Sequence, residues 1–147
     1  LREKYPELRF LQQLNNEEQE GMANHIANEL GVPLFKHTTI SCRLFNGPRH
    51  WLTRIKNSDY IITDSFHGLA LSILFEKQFF VFCASKKKFT RLRSLLNLLS
   101  LNDRYIESIE DFDKRKEILM KPIDYSQINK IIKREQERYL TFVQKNF

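Results

Sequence analysis

The stretch Tyr60-Ile-Ile-Thr-Asp-Ser-Phe-His-Gly68 carries the clearest structural signal in this 147-residue chain. Residues 60–63 form a short run that is apolar and rich in β-branched side chains, which predicts a buried strand. Residues 69–75, Leu-Ala-Leu-Ser-Ile-Leu-Phe, are apolar enough for a buried helix. We therefore expect a strand, a sharp turn at Asp64 and Ser65, and a helix that begins at Phe66.

The predicted turn has the features of an anion site. With Ser65 as the N-cap, the backbone N–H groups of residues 66–68 have no acceptor inside the helix. Such a helix end carries roughly half a positive charge and attracts anions. Gly68 lets a ligand approach the backbone, and the side chain of His67 titrates near neutral pH. Phosphate chemistry is one interpretation. Ordinary helix capping with a surface histidine is the other, and spacing alone leaves both open.

The composition is that of one globular domain over residues 1–147. Hydrophobic residues make up 41% and charged residues 29% of the chain. No apolar run reaches the roughly 18 residues of a membrane span. The chain begins at Leu1, without a methionine or a signal core, so we expect it to be part of a longer protein. Two cysteines, Cys42 and Cys83, fit a reducing cytoplasm.

The net charge of +6 points to an anionic partner. Residues 86–88 are three lysines, followed by Arg91 and Arg93, and a solvated loop is the neutral explanation. Nucleic acid is not expected, because few aromatic residues are interleaved with the basic ones. An anionic substrate, or an anionic membrane surface that carries a lipid-linked one, explains the charge. No Cys/His metal spacing and no nucleotide loop are present, so neither metal nor cofactor is predicted.

Alternating patterns along the chain predict a parallel sheet with helices on both faces. Ligands of such sheets bind beyond the carboxyl ends of the strands, where the loop with His37 and a basic loop at 84–91 should also lie. The predicted strands are residues 8–14, 32–35, 60–63 and 79–83, and the predicted helices are residues 16–30, 48–57, 66–76, 91–99, 108–120 and 124 onwards.

Several local signals support these helices. Asn16 is the expected N-cap of the first one, with Gln19 at its capping-box position and Gly31 as its stop. Ser108 and Asp111 form a second expected capping pair. The inward residues of the second helix are predicted to be Trp51, Leu52 and Ile55, and the last helix carries an apolar stripe comprising Ile128, Ile131, Ile132, Tyr139, Phe142 and Val143.

These residues resemble the C-terminal half of the polysaccharide pyruvyl transferases, over about residues 48 to 106. The resemblance is carried by Gly47-Pro48 with Trp51-Leu52, by residues 55–68 with their Ser-Phe-His-Gly centre, by residues 79–82, 91–96 and 101–106, and by the turn and basic helix that follow residue 122. It implies an α/β, Rossmann-like three-layer domain, one half of an enzyme similar to glycosyltransferases of the GT-B type. The N-terminal half of the same protein is then a partner, and this half alone is expected to be inactive.

The resemblance also implies a reaction. Family members transfer the pyruvyl group of phosphoenolpyruvate to two hydroxyls of a sugar or lipid-linked glycan, forming a ketal in capsule, exopolysaccharide or cell-wall polymer synthesis. The family histidine maps onto His67, as an acid or a phosphate ligand. Ser65, Phe66 and Gly68 are expected to bind the donor phosphate together with Arg91. A cytoplasmic enzyme at the inner face of the membrane is the expected setting.

One departure keeps other functions open. Some relatives carry Arg-Leu-His where this chain has Ser65, Phe66 and His67. The cation for the donor carboxylate must then come from Arg91, from Arg93, from the lysine loop or from the N-terminal half. A GT-B-like glycosyltransferase that uses a nucleotide sugar is therefore the first alternative. A non-catalytic module that binds anionic glycans or a membrane surface is the second, and it rests on the basic last helix with Lys130, Lys133, Arg134 and Arg138.

Overall fold

A small parallel sheet lies at the centre of the domain. The computed structural model describes residues 10–13, 19–36, 48–82 and 86–146. The four strands are β1 (Phe10–Gln13), β2 (Leu34–Lys36), β3 (Tyr60–Thr63) and β4 (Gln78–Val81), in the order β2-β1-β3-β4. Every pair is parallel. Tyr105 forms a further parallel bridge with Val81, so a short segment extends the sheet beyond β4.

Six α-helices of the described chain surround this sheet. They are α1 (Glu20–Leu30), α2 (Pro48–Asn57), α3 (Phe66–Leu74), α4 (Lys86–Leu98), α5 (Ile109–Leu119) and α6 (Tyr125–Asn146). A 3₁₀ turn, Asn102–Arg104, precedes the bridge at Tyr105. The predicted alternation of strands and helices and the mixed α/β class with a parallel sheet are confirmed.

The two faces of the sheet bury two separate apolar clusters. Successive side chains of a strand point to opposite faces, so Ile61 packs into one cluster and Ile62 into the other. The Ile61 cluster includes Leu69 of α3 and Leu92 of α4, together with the start of α6. The Ile62 cluster contains α1 and α5. Helices therefore cover both faces, which is why β3 and β4 are mostly apolar along their length.

Two buried polar side chains tie the ends of these elements together. The guanidinium of Arg104 donates to the carbonyls of Leu119 and Lys121, at 2.8 and 2.7 Å, and so binds the C-terminal end of α5. Burial lowers the pKa of Arg104. The Tyr125 hydroxyl donates to the carbonyl of Lys77, and burial raises the pKa of this phenol. These bonds join α5 to the 3₁₀ turn, and α6 to the loop before β4.

Several predicted helix ends differ from the observed ones. Helix α1 begins at Glu20 with Gln19 as its N-cap, so Gln19 does not occupy the capping-box position, and Asn16 lies outside the described residues. Gly31 ends α1 in the left-handed conformation, as predicted. Helix α4 begins at Lys86 instead of residue 91, so residues 86–91 are helical and the predicted basic loop was wrong there. The loop with His37 lies outside the described residues.

Other differences concern which side chains are covered. Leu52 was predicted to face inward but is exposed, whereas Ile55 is fully buried. In α6 the apolar stripe is buried only at its beginning, at Ile128, and Tyr139 is 67% exposed. The Ser108 cap is confirmed: its hydroxyl accepts from the backbone N–H of Asp111 at 3.1 Å.

Candidate functional site

The carboxyl ends of β1 and β3 form the edge of the sheet at which a ligand is expected. The chain goes from β1 outward to β2, and then returns to β3 on the other side of β1. Strand order therefore reverses between β1 and β3, where the register pairs Gln13 with Thr63. In open α/β sheets a crevice forms at this reversal because the connections on its two sides cover opposite faces. Residues 64–68 follow β3 directly and lie at this edge.

Hydrogen bonds fix the turn between β3 and α3. The hydroxyl of Thr63, which is fully buried, accepts from the backbone N–H of Ser65 at 3.1 Å. Ser65 has extended backbone angles, and its own hydroxyl accepts from the N–H of Gly68 at 3.4 Å. The N–H of Leu69 donates to the carbonyl of Ser65 at 2.9 Å and begins the helical ladder. Ser65 is therefore the N-cap of α3, as predicted.

This capping leaves two backbone donors at the helix end. Ser65 takes the N–H of Gly68, and Leu69 is the first residue to bond within the helix. The N–H groups of Phe66 and His67 precede the first bond of the α3 ladder, which runs from Leu69 to Ser65, so the helix itself does not satisfy them. They lie where the partial positive charge of the helix is concentrated. A bound anion would complete their hydrogen bonding.

The side chains of this turn divide into buried and accessible ones. Asp64 is 5% exposed, and Gly68 is buried, with its carbonyl accepting from the hydroxyl of Ser72 at 2.7 Å. His67 is exposed, and Phe66 is 41% exposed. Their rings meet edge to face, with centroids 6.0 Å apart and planes at 86°. The imidazole is therefore within reach of solvent and of a ligand at the carboxyl edge.

Arg91 lies on a neighbouring helix and not on this turn. It is exposed in the second turn of α4, the helix that follows β4. Helices α3 and α4 pack in the same apolar cluster, through Leu69 and Leu92. The chain thus brings Ser65, Phe66, His67 and Gly68 together on one turn, whereas Arg91 projects from the adjacent helix.

Thr63 had no predicted role beyond its place in the strand. Its hydroxyl accepts the hydrogen bond that fixes the turn. In the sequence, however, a threonine at the end of a strand looks like any other strand residue. Gln19, which was predicted only as a capping-box residue, precedes α1 and is 4% exposed. Its side-chain oxygen is buried and accepts no hydrogen bond from the residues that the structure describes. Among those residues, no group of three or more acidic, histidine or cysteine side chains is arranged to hold a metal ion.

The turn with Ser65 to Gly68 lies within a match to a known protein family. Residues 13–82 match the family model described as Polysaccharide pyruvyl transferase. The predicted resemblance to this transferase family is confirmed. The match contains β3, the turn with Ser65 and the whole of α3, so His67 lies inside it. No curated protein and no solved structure is significantly similar to the chain.

The extent of the match differs from the predicted one. It begins near the end of β1, well before Pro48, and it ends just after β4. It lies in the N-terminal part of this chain, and residues 91–106, which also carried the resemblance, are outside it. The family match therefore covers the described carboxyl edge from β1 to β4 but not α4 with Arg91. Within the described part of the chain, no helix combines the length and apolarity needed to cross a membrane.

Proposed function

We propose that the protein transfers the pyruvyl group of phosphoenolpyruvate to a pair of sugar hydroxyls, as a polysaccharide pyruvyl transferase. The observation that carries this proposal is the position of His67. It is an exposed imidazole on the first turn of α3, inside the residues that match the family. A donor with a phosphate and a carboxylate suits a site that offers backbone N–H groups and an adjacent imidazole.

The reaction assigns a task to each group on the turn. The N–H groups of Phe66 and His67 bind the donor phosphate. A proton added to the methylene carbon of phosphoenolpyruvate leaves a cationic centre at C2, which one sugar hydroxyl attacks. Phosphate then leaves, and the second hydroxyl closes the ketal, so the overall products are the ketal and inorganic phosphate. In this proposal the imidazole of His67 donates a hydrogen bond to the phosphate and shuttles a proton.

Arg91 supplies the cation that Ser65 does not. In this proposal its guanidinium reaches the donor carboxylate from the second turn of α4. An arginine can hold a carboxylate through two parallel hydrogen bonds. Its exposure leaves the guanidinium available for this role.

The wider setting belongs to the same proposal. The domain is the C-terminal, Rossmann-like half of a two-domain enzyme of GT-B type, and the N-terminal half closes the cleft over the carboxyl edge. The strand order β2-β1-β3-β4 supports this assignment. The acceptor is a sugar or lipid-linked glycan for a capsule, exopolysaccharide or cell-wall polymer. The enzyme works in the cytoplasm at the inner face of the membrane.

A second candidate is a glycosyltransferase with a nucleotide-sugar donor at the same turn. The Ser-Phe-His sequence favours it, because the arginine of some relatives is absent. A third candidate is a non-catalytic module that contacts anionic glycans or a membrane surface. It is favoured by the end of α6, where Tyr139 and Phe142 are exposed beside Arg134 and Arg138.

Donor consumption separates these candidates. The protein is incubated with an acceptor glycan and either phosphoenolpyruvate or a nucleotide sugar, and released phosphate or nucleotide is measured. The proposal requires phosphate release that depends on the acceptor and is lost in H67A. Because His67 is exposed, H67A should unfold at nearly the same temperature as the wild type. His50, an exposed histidine of α2, provides the matched control H50A. Nucleotide release, or full activity of H67A, would contradict the proposal.

A further inference from the structure

Phe66 is a large apolar side chain exposed beside the candidate site. It is the first residue of α3, and 41% of its surface is accessible. A phenylalanine has about 200 Å² of surface to bury, so roughly 80 Å² is left in contact with water. Leu74, another exposed apolar residue, lies at the opposite end of the same helix. The exposure of Phe66 therefore coincides with the place where chemistry is expected.

The ring of Phe66 contacts the imidazole of His67. The two rings are edge to face, with centroids 6.0 Å apart and planes at 86°. This arrangement is among those that aromatic pairs favour. It accounts for one contact of the Phe66 ring, while a large part of its surface stays accessible. A molecule lying on that surface would also be close to His67.

We propose that Phe66 is the residue on which the acceptor sugar stacks, through the C–H face of a hexopyranose ring. The inference rests on the proposed function, because it assigns the second substrate of the same site. Phosphoenolpyruvate is a small anion that needs N–H groups and cations, and an aromatic ring supplies neither. A pyranose has an apolar face of C–H groups and an edge of hydroxyls. Stacked on Phe66, it presents its hydroxyls towards His67 and the donor bound at the helix end.

The size of the contribution follows from the exposed area. Covering about 80 Å² of apolar surface at the usual coefficient strengthens binding by up to about 30-fold. A hexopyranose covers only part of the ring, so we expect a loss of about tenfold in acceptor affinity when the ring is removed. The affinity for phosphoenolpyruvate should not change. The reaction also requires the two substrates to be held within about 3–3.5 Å of each other, which stacking beside His67 promotes.

Saturation-transfer difference NMR tests the stacking without any turnover. The probes are the methyl glycosides of glucose, galactose and mannose. At least one of them should bind the wild type through protons on one face of its ring. F66Y, which keeps an aromatic ring, should bind it equally well. F66A and F66L should bind it about tenfold more weakly. Leu74, 69% exposed on the same helix, provides the control L74A, which should bind like the wild type.

The outcomes separate this inference from the proposed function. Thermal unfolding confirms that each variant is folded, and a phosphoenolpyruvate titration reports on the donor separately. Equal sugar binding by F66A and the wild type, or no binding of any of the three sugars to the wild type, would overturn the inference. So would loss of phosphoenolpyruvate binding in F66A with sugar binding intact, or binding of uridine monophosphate to Phe66 in place of the sugars. Sugar binding that depends on the Phe66 ring supports the inference even if no pyruvyl transfer is detected, which would refute only the proposed function.

Discussion

Two substitutions of Ser65, by asparagine and by aspartate, separate helix capping from anion binding. The two new side chains are similar in size to each other but differ in charge. Asparagine and aspartate cap helices about as well as serine, so S65N and S65D should both keep α3 intact. The two variants differ by one negative charge at the N-terminus of α3. A carboxylate there interacts favourably with the helix, by about 0.3–1 kcal/mol. Both variants should therefore be as stable as the wild type to within about 1 kcal/mol, and S65D should be the more stable of the two.

Binding of phosphoenolpyruvate should respond in the opposite direction. The donor phosphate and the carboxylate introduced by S65D would share one helical turn, so we take their separation as about 5 Å, the pitch of an α-helix. At that separation two unit charges repel by about 1–3 kcal/mol, for effective dielectric constants between those of water and of a protein surface. S65D should thus bind phosphoenolpyruvate about 5- to 150-fold more weakly than S65N. The difference should shrink as salt is added, because ions screen the repulsion.

Calorimetric titration and chemical denaturation supply the two measurements. Titration of phosphoenolpyruvate into both variants at low and at physiological salt gives the affinity ratio, and urea unfolding gives the free energy of unfolding of each variant. If S65D binds phosphoenolpyruvate as tightly as S65N, no anion occupies the end of α3. The turn would then be only a helix cap, which is the other interpretation that the sequence allows.

Further predictions concern stability. Y125F removes the hydroxyl that donates to the carbonyl of Lys77 and should lower the free energy of unfolding by about 1–2 kcal/mol, or about 2–8 °C in Tm. Because burial raises the pKa of Tyr125, the folded state holds this proton more tightly, so the wild type should lose stability above about pH 10 and Y125F should lack that loss in urea unfolding at alkaline pH. R104M leaves the carbonyls of Leu119 and Lys121 without their donor and should cost about 2–4 kcal/mol in the same assay, whereas an unchanged midpoint would show that Arg104 does not stabilise α5.

The segment from β3 to α3 could be predicted because its signals are local. The strand β3 has the predicted bounds, and α3 begins at Phe66 with Ser65 as its cap. A buried strand needs only a short apolar run, and an N-cap hydroxyl bonds a backbone group three residues away. The same reasoning explains the confirmed cap at Ser108. Local hydrogen bonding and burial act together at these positions, so the sequence pattern is sufficient.

The start of α4 could not be predicted, because tertiary packing determines it. Residues 86–88 are lysines, which oppose the dipole at a helix N-terminus and show no apolar period. The helix nevertheless includes them, because Leu92 and Leu96 are buried in the apolar cluster and stabilise the helix as a whole. Periodicity alone placed its beginning at the first residue of the apolar repeat.

The helical spacing of an apolar stripe likewise does not show how much of the stripe is buried. In α6 the stripe from Ile128 to Phe142 has a regular helical spacing. Ile128 is buried in the cluster that contains Ile73 of α3, whereas Tyr139 and Phe142 are exposed. The spacing of apolar residues identifies the apolar face of α6. How much of that face is buried depends on how far the neighbouring elements extend along the helix. Long-range bonds such as that from Arg104 to Leu119 are unpredictable for the same reason.

The sequence alone places the candidate site residues on one turn, but it does not predict the hydrogen bonds of that turn. Ser65, Phe66, His67 and Gly68 lie on one turn because they are consecutive. That the Gly68 N–H bonds the Ser65 hydroxyl, and that the hydrogen-bond ladder of α3 begins only at Leu69, depends on the three-dimensional turn. The buried hydroxyl of Thr63 contributes to that turn without any sequence signal of its own.

A backbone-amide NMR titration with phosphoenolpyruvate shows whether the end of α3 binds the donor. We expect saturable shifts that are largest at the N–H groups of Phe66 and His67, and that are about as large in L74A as in the wild type. Unmoved amides at these two positions, or shifts confined to surface lysines, would contradict the claim that the end of α3 binds the donor.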